Sequence, residues 1–148
     1  CLGNICRSPT AEGILRHKLR EAGLAGQVEV ASAGTGEWHI GNPPDQRSQR
    51  AALARGYDLS GQRAQQVSRA DFARYDLILA MDNSNLRNLK AMQPGQGKAE
   101  LDLFLRRFDG EVDEVPDPYY EGEQGFERVL DLIERACDLL VIELKGRL

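Results

Sequence analysis

At 148 residues, with 41% hydrophobic and 28% charged side chains, the chain has the makeup of one globular domain spanning residues 1–148, not of a disordered or fibrous polypeptide. Lys and Arg number 19 against 23 Asp and Glu, a net charge of −4 and the wrong sign for a general nucleic-acid binder. No apolar run approaches the roughly 20 residues of a membrane span, and three cysteines are too few, and odd in number, for a disulfide framework, which points to a reducing, cytoplasmic setting. The chain opens at Cys1 without an initiator methionine, so a leader can be neither inferred nor dismissed.

In chain order, a loop over 1–7 runs into a helix start with Ser8 as N-cap and Pro9 at the first helical position. Ile14, Leu15, Leu19 and Ala22 line one helical face, and Gly23 is placed to end it. Val28-Glu29-Val30 alternates as a strand does and leads into the small-residue loop 32–36. Pro43-Pro44-Asp45 opens a second helix reaching Arg55, with Gly56 closing it. The run Tyr-Asp-Leu-Ile-Leu-Ala-Met at 75–81 has the length and apolarity of a parallel strand buried on both faces. Asp82-Asn83-Ser84-Asn85 then caps a helix through Met92; 99–108 reads as either helix or strand, and 111–118 as a short strand breaking into a Pro loop. From Glu123 onward, Phe126, Val129, Leu130, Ile133, Cys137, Leu140 and Leu144 recur at spacings of three and four, a long amphipathic helix. Strands alternating with helices predict an α/β domain with a parallel sheet.

Chemistry concentrates in the first nine residues, Cys1-Leu2-Gly3-Asn4-Ile5-Cys6-Arg7-Ser8-Pro9. Backbone amides curled ahead of a helix form a nest for anions, and the helix dipole turns its positive end inward. Gly3 and Asn4 tolerate the positive φ that such curling demands. Arg7 adds a planar fork that matches two oxygens of an oxyanion. That environment lowers the pKa of the Cys1 thiol and makes it a nucleophile, while Ser8 can hydrogen-bond the sulfur or the leaving group. A nucleotide-binding P-loop is excluded, because no Gly-Lys-Ser/Thr follows.

This loop, taken with Asp117-Pro118-Tyr119-Tyr120, Ser32-Ala33-Gly34-Thr35, Trp38-His39, Pro44-Asp45-Gln46-Arg47 and Met81-Asp82-Asn83-Ser84-Asn85-Leu86, resembles the low-molecular-weight protein tyrosine phosphatases. The similarity runs through the whole chain in the family's order. It implies a four-stranded parallel sheet flanked by helices, with the phosphate loop at the carboxyl end of the first strand. That strand is expected ahead of Cys1, as a short hydrophobic segment. The resemblance also implies Cys1 as nucleophile, Arg7 as phosphate clamp and Asp117 as general acid and then base. Leu2, Gly3, Asn4, Ile5, Cys6 and Ser8 would complete the phosphate loop.

A phenolic leaving group needs a proton donor, and Pro118 forces an extended, rigid backbone at Asp117. Tyr119 and Tyr120 beside that acid, with Trp38 in the polar loop 35–41, suggest walls for an aromatic ring. In the family the equivalent of Trp38 lines the cleft mouth, and Ile5 would point toward the ring. Relatives acting on phosphoarginine carry threonine there, so Ile5 favours phosphotyrosine. The family can pair its two loop cysteines reversibly, here Cys1 with Cys6, protecting the nucleophile. Cys137 sits on the apolar face of the last helix and reads as core. His17 and His39 show no metal-ligand spacing, so neither metal nor other cofactor is expected, the loop itself supplying positive charge. One departure is Gln62-Arg63-Ala64, where many members have histidine at the first position, supporting the loop asparagine.

The expected partners are phosphotyrosine-containing proteins, tyrosine kinases among the candidates, with no nucleic acid and no membrane. The competing readings are an arsenate reductase or phosphoarginine phosphatase on the same fold, and a non-catalytic phosphotyrosine-binding module.

Overall fold

Helix α1 (Arg7–Glu21) starts two residues ahead of the expected position, with Cys6 at the N-cap and no side-chain cap bond. Ser8 is therefore inside the first turn and not its cap. The change is tolerated because the first four helical N–H groups lack intrahelical acceptors, so Pro9 forfeits nothing there. The computed structural model describes residues 6–36, 39–95, 98–108, 112–116 and 122–148.

The other end of α1 follows the sequence. Gly23 takes φ +75°, its N–H donates to the Arg20 carbonyl, and the Leu24 N–H donates to the Leu19 carbonyl at 2.8 Å. That pair of bonds is a Schellman motif. Helix α2 (Gln46–Ala54) closes identically at Gly56, φ +93°, with the Tyr57 N–H on the Ala52 carbonyl. Its start is capped by Asp45, whose carboxylate accepts from the Arg47 N–H. A short helix α3 (Asp71–Arg74), not anticipated, precedes strand β1 (Leu77–Ala80). Then come α4 (Asn83–Met92), β2 (Glu100–Leu103), α5 (Phe104–Phe108) and α6 (Glu123–Arg147). The ambiguous stretch 99–108 is thus both strand and helix.

β1 and β2 pair in parallel, Leu77 opposite Glu100 and Ala80 opposite Leu103, with α4 as the crossover between them. The alternation on β1 divides the core. Leu77 and Leu79 pack with Ile14, Phe104, Leu130 and Ile133 on the side of α1 and α6. Ile78 and Ala80 pack with Phe72, Leu86, Leu89 and Leu103 on the side of α4. Both sheet faces are covered, as a parallel sheet requires, and the parallel α/β class is correct. Each fully buried large side chain contributes roughly 1.5–3 kcal/mol by leaving water.

Four strands were expected, and two are paired among the described residues. Val28–Val30 carries no ladder among the described residues. A cavity of about 640 Å³ lies between 27–33 and β1, lined by Val28, Val30, Leu77, Leu79 and Met81. Farther along, Gly34 makes an isolated parallel bridge with Gln66. Residues 112–116, expected within a strand, form none. The Val115 N–H donates to the Met81 carbonyl at 2.8 Å, but the Val115 carbonyl is taken by a guanidinium instead of a neighbouring strand.

Candidate active site

Three parts of the chain converge where β1 ends: the first turn of α1, the start of α4 and the segment 112–116. This is the carboxyl edge of the parallel sheet, where α/β folds place ligands. Arg7, the first residue of α1, joins them. Its Nη1 donates to Asp82 Oδ2 at 2.7 Å and to the Val115 carbonyl at 2.9 Å. The residue is 3% exposed, and its Nε is buried with no partner among the described residues. One corner of the guanidinium is thus anchored to protein while a donor elsewhere on the fork is unspent, at a helix N-terminus suited to anions.

Asp82 serves two roles through its two oxygens. Oδ1 accepts from the Asn85 N–H at 2.8 Å and caps α4, while Oδ2 holds Arg7. Burial alone would push this carboxyl up. The Asn85 hydrogen bond and the Arg7 guanidinium outweigh that and hold it below the usual carboxylate range. Glu114 accepts from the Asn83 N–H at 2.7 Å and tethers 112–116 to the same helix start. Sequence reading saw Asp82 only as a cap. The available signal was its position directly after a buried strand, which puts a carboxylate at the sheet edge where Arg7 enters.

Of the expected site residues, Arg7, Cys6 and Ser8 are buried together at the start of α1. The Thr10 hydroxyl adds a bond to the Cys6 carbonyl at 2.7 Å. Cys1, Leu2, Gly3, Asn4, Ile5, Trp38, Asp117, Tyr119 and Tyr120 lie outside the described residues. Asp117 follows Val115 by two positions in the sequence. The loop containing Trp38 is held on both sides, by the Gly34 N–H on the Gln65 carbonyl and the Gly41 N–H on the Ala64 carbonyl, each at 2.8 Å.

Cys137 is fully buried in the core, as expected, and burial pushes its thiol up to about 12. His17 pairs with Glu21 and meets the Tyr57 ring edge-on. Among the described residues no cluster of His, Cys, Asp and Glu could hold a metal ion, and no helix is long and apolar enough to cross a membrane.

Residues 1–147 match the family model for low molecular weight phosphotyrosine protein phosphatase. The low molecular weight protein-tyrosine-phosphatase YfkJ of Bacillus subtilis is 40% identical over 146 residues, covering 98% of this chain and 92% of the relative. A protein tyrosine phosphatase from Entamoeba histolytica superposes with a TM-score of 0.93 at 40% identity, covering 100% of this chain and 96% of the other. A Drosophila arginine phosphatase superposes with a TM-score of 0.90 at 32% identity, covering 97% and 94%.

Proposed function

The chain belongs to the low molecular weight phosphotyrosine protein phosphatase family, and we propose on that premise that it hydrolyses protein phosphotyrosine through a phosphocysteine intermediate. The Cys1 thiolate attacks phosphorus in line, forming the S–P bond as the P–O bond to the phenol breaks. Asp117 donates its proton to the departing phenolic oxygen. Asp117, now a carboxylate, takes a proton from water, whose oxygen attacks phosphorus and releases inorganic phosphate and the thiolate. Arg7 and the loop amides hold the three equatorial oxygens throughout, the electrostatic positioning on which phosphoryl transfer depends. Leu2, Gly3, Asn4, Ile5, Cys6 and Ser8 shape the loop, and the substrate ring lies between Ile5, Trp38, Tyr119 and Tyr120.

The observation that carries this reading is the guanidinium of Arg7. It is buried, anchored through Nη1 to Asp82 and the Val115 carbonyl, and its Nε has no partner among the described residues. A buried cation so fixed is suited to a tetrahedral dianion. Protein substrates with exposed phosphotyrosine, tyrosine kinases among them, fit this chemistry, and a thiolate nucleophile fits the reducing cytoplasm.

The test is release of phenol from an aryl phosphate, with orthovanadate as competitor. Cys1→Ser abolishes turnover while inorganic phosphate still binds; retained turnover would remove Cys1 from the mechanism. Phosphoarginine hydrolysis is the second reading, favoured by the Drosophila arginine phosphatase match and opposed by Ile5.

A further inference from the structure

The segment 117–121, which carries Asp117, has both its flanks among the described residues, and they are fastened to different parts of the fold. On the entry side the Val115 N–H donates to the Met81 carbonyl at 2.8 Å, and Glu114 accepts from the Asn83 N–H at 2.7 Å. Those bonds tie the entry to the end of β1 and the start of α4. On the exit side stands the first turn of α6. Gly122 at its N-cap offers no side-chain bond, so the helix start relies on packing for its place.

Phe126 supplies that packing. It is 4% exposed yet belongs to neither core cluster of the described residues. Over its ring, 4.8 Å from the centroid, lies the Arg47 guanidinium, an attractive placement for a cation on an aromatic face. Arg47 is in the first turn of α2, and its fork is locked onto the cap of that helix. Nε donates to Asp45 Oδ1 at 3.2 Å and Nη2 to Oδ2 at 3.1 Å. Such a two-pronged bond fixes the plane of the guanidinium as well as its position. Burial pushes the Asp45 carboxyl up, but its bonds to Arg47 outweigh that and hold it below the usual carboxylate range. The cap is braced in turn by Gln49, whose Nε2 donates to the Pro44 carbonyl at 2.8 Å.

We propose that Arg47 is a positioning residue for the general acid: clamped by Asp45 and laid on Phe126, it fixes the exit of the 117–121 segment against α2. It acts through Phe126 and the start of α6. The inference rests on the proposed role of Asp117 as proton donor. A general acid must keep within hydrogen-bond reach of the departing oxygen, and a misplacement of about 1 Å can cost on the order of 100-fold in rate.

The experiment compares Arg47→Met and Arg47→Lys with the parent and with Asp117→Asn, in thermal midpoint and in kcat/KM over aryl phosphates of graded phenol pKa. That constant reports the step in which the phenol departs. Arg47→Met keeps a long stem and loses the fork, and with the side chain 40% exposed it opens no core cavity. It should lower kcat/KM on phenyl phosphate roughly 10–100-fold, with little change where the phenol is acidic enough to leave unprotonated. Arg47→Lys should show the same pattern, since an ammonium can neither make the two-pronged bond nor lie flat on a ring. It decides the matter if Arg47→Met does not fold. Combined with Phe126→Leu, Arg47→Met should lose less than the product of the two single losses, because both release one contact. Parent-like leaving-group dependence in the folded variants would overturn the inference, as would a uniform loss across the series or strictly multiplicative losses. If Asp117→Asn itself shows no steeper dependence, the acid assignment beneath it falls, a failure read separately from that of Arg47.

Discussion

Arg7 and Asp82 stand 75 positions apart in sequence and meet at 2.7 Å, Nη1 to Oδ2, with the Val115 carbonyl accepting the other Nη1 proton at 2.9 Å. Both protons of that nitrogen are thereby committed to protein, and Nε has no partner among the described residues. The contact ties the start of α1 to the cap of α4 and to the strand-like tether of Val115 on Met81. Arg7 is held rigidly by part of its fork, as preorganised oxyanion binding requires.

The pair makes stability depend on pH in a direction that can be worked out. The Asp82 carboxyl is held below its ordinary value, the Asn85 and Arg7 contacts outweighing burial. In acid, the unfolded chain therefore binds a proton that the folded chain refuses. The contribution is complete above the unfolded value of about 3.9 and is lost as pH falls through the lower folded value. Urea midpoints measured downward from about pH 6 should drop in the parent and show a shallower acid slope in Asp82→Asn. That variant should also lose about tenfold or more in kcat/KM, since 1.4 kcal/mol of misplaced guanidinium suffices. An unchanged acid slope would remove Asp82 from the balance.

The proposed acid is tested by the leaving group. Asp117→Asn should lower the rate on phenyl phosphate by around 10²–10⁴-fold. It should cost far less on aryl phosphates whose phenols are already acidic, because those depart without a proton. Measured across a series of substituted phenols, the rate should become more sensitive to leaving-group pKa in the variant. Equal losses across the series would mean that Asp117 protonates nothing.

What could be read in advance follows from the range over which each signal acts. Gly23 and Gly56 announce helix ends because positive φ is a local demand, and both sit where the sequence placed them. The long stripe from Phe126 to Leu144 predicts α6, because periodicity accumulates over many turns. Val28–Val30 alternates as a strand does but is unpaired among the described residues, since alternation marks a strand's two faces and says nothing of its neighbour. Val115 joins no strand either among these residues, its carbonyl claimed by a distant arginine. Within the site, Cys6, Arg7 and Ser8 were legible as one local motif. Asp82 was not legible as a support, since its contact to Arg7 arises only from the tertiary fold.

Substrate class should turn on Ile5. A branched apolar side chain favours an aromatic ring over the polar guanidino group of phosphoarginine, and replacing the ethyl branch of Ile by the Thr hydroxyl should shift discrimination by at least the roughly 10–200-fold of one missing methylene. Ile5→Thr should therefore lower kcat/KM on a phosphotyrosine peptide relative to a phosphoarginine peptide by roughly tenfold or more. The ratio of the two constants, taken in one buffer, is the measurement. A ratio that does not move would locate the discrimination elsewhere in the pocket.

Cysteine reactivity separates a phosphatase from a reductase that relays electrons between thiols. Cys137 is fully buried and its thiol is pushed up to about 12, burial outweighing the opposing pull of Lys18 while Asp138 and Glu134 add to the rise. A thiol so raised and so buried is a poor nucleophile near neutral pH. Cys1, in the proposed cradle, should be a thiolate at neutral pH. Iodoacetate at pH 6 to 7 should therefore inactivate the protein with labelling at Cys1, slowed by inorganic phosphate, while Cys137 stays unmodified until denaturant is added. Peptide mapping by mass spectrometry reads both sites in one sample. Labelling of Cys137 in the folded protein at the rate of Cys1 would restore the thiol-relay reading and count against simple hydrolysis.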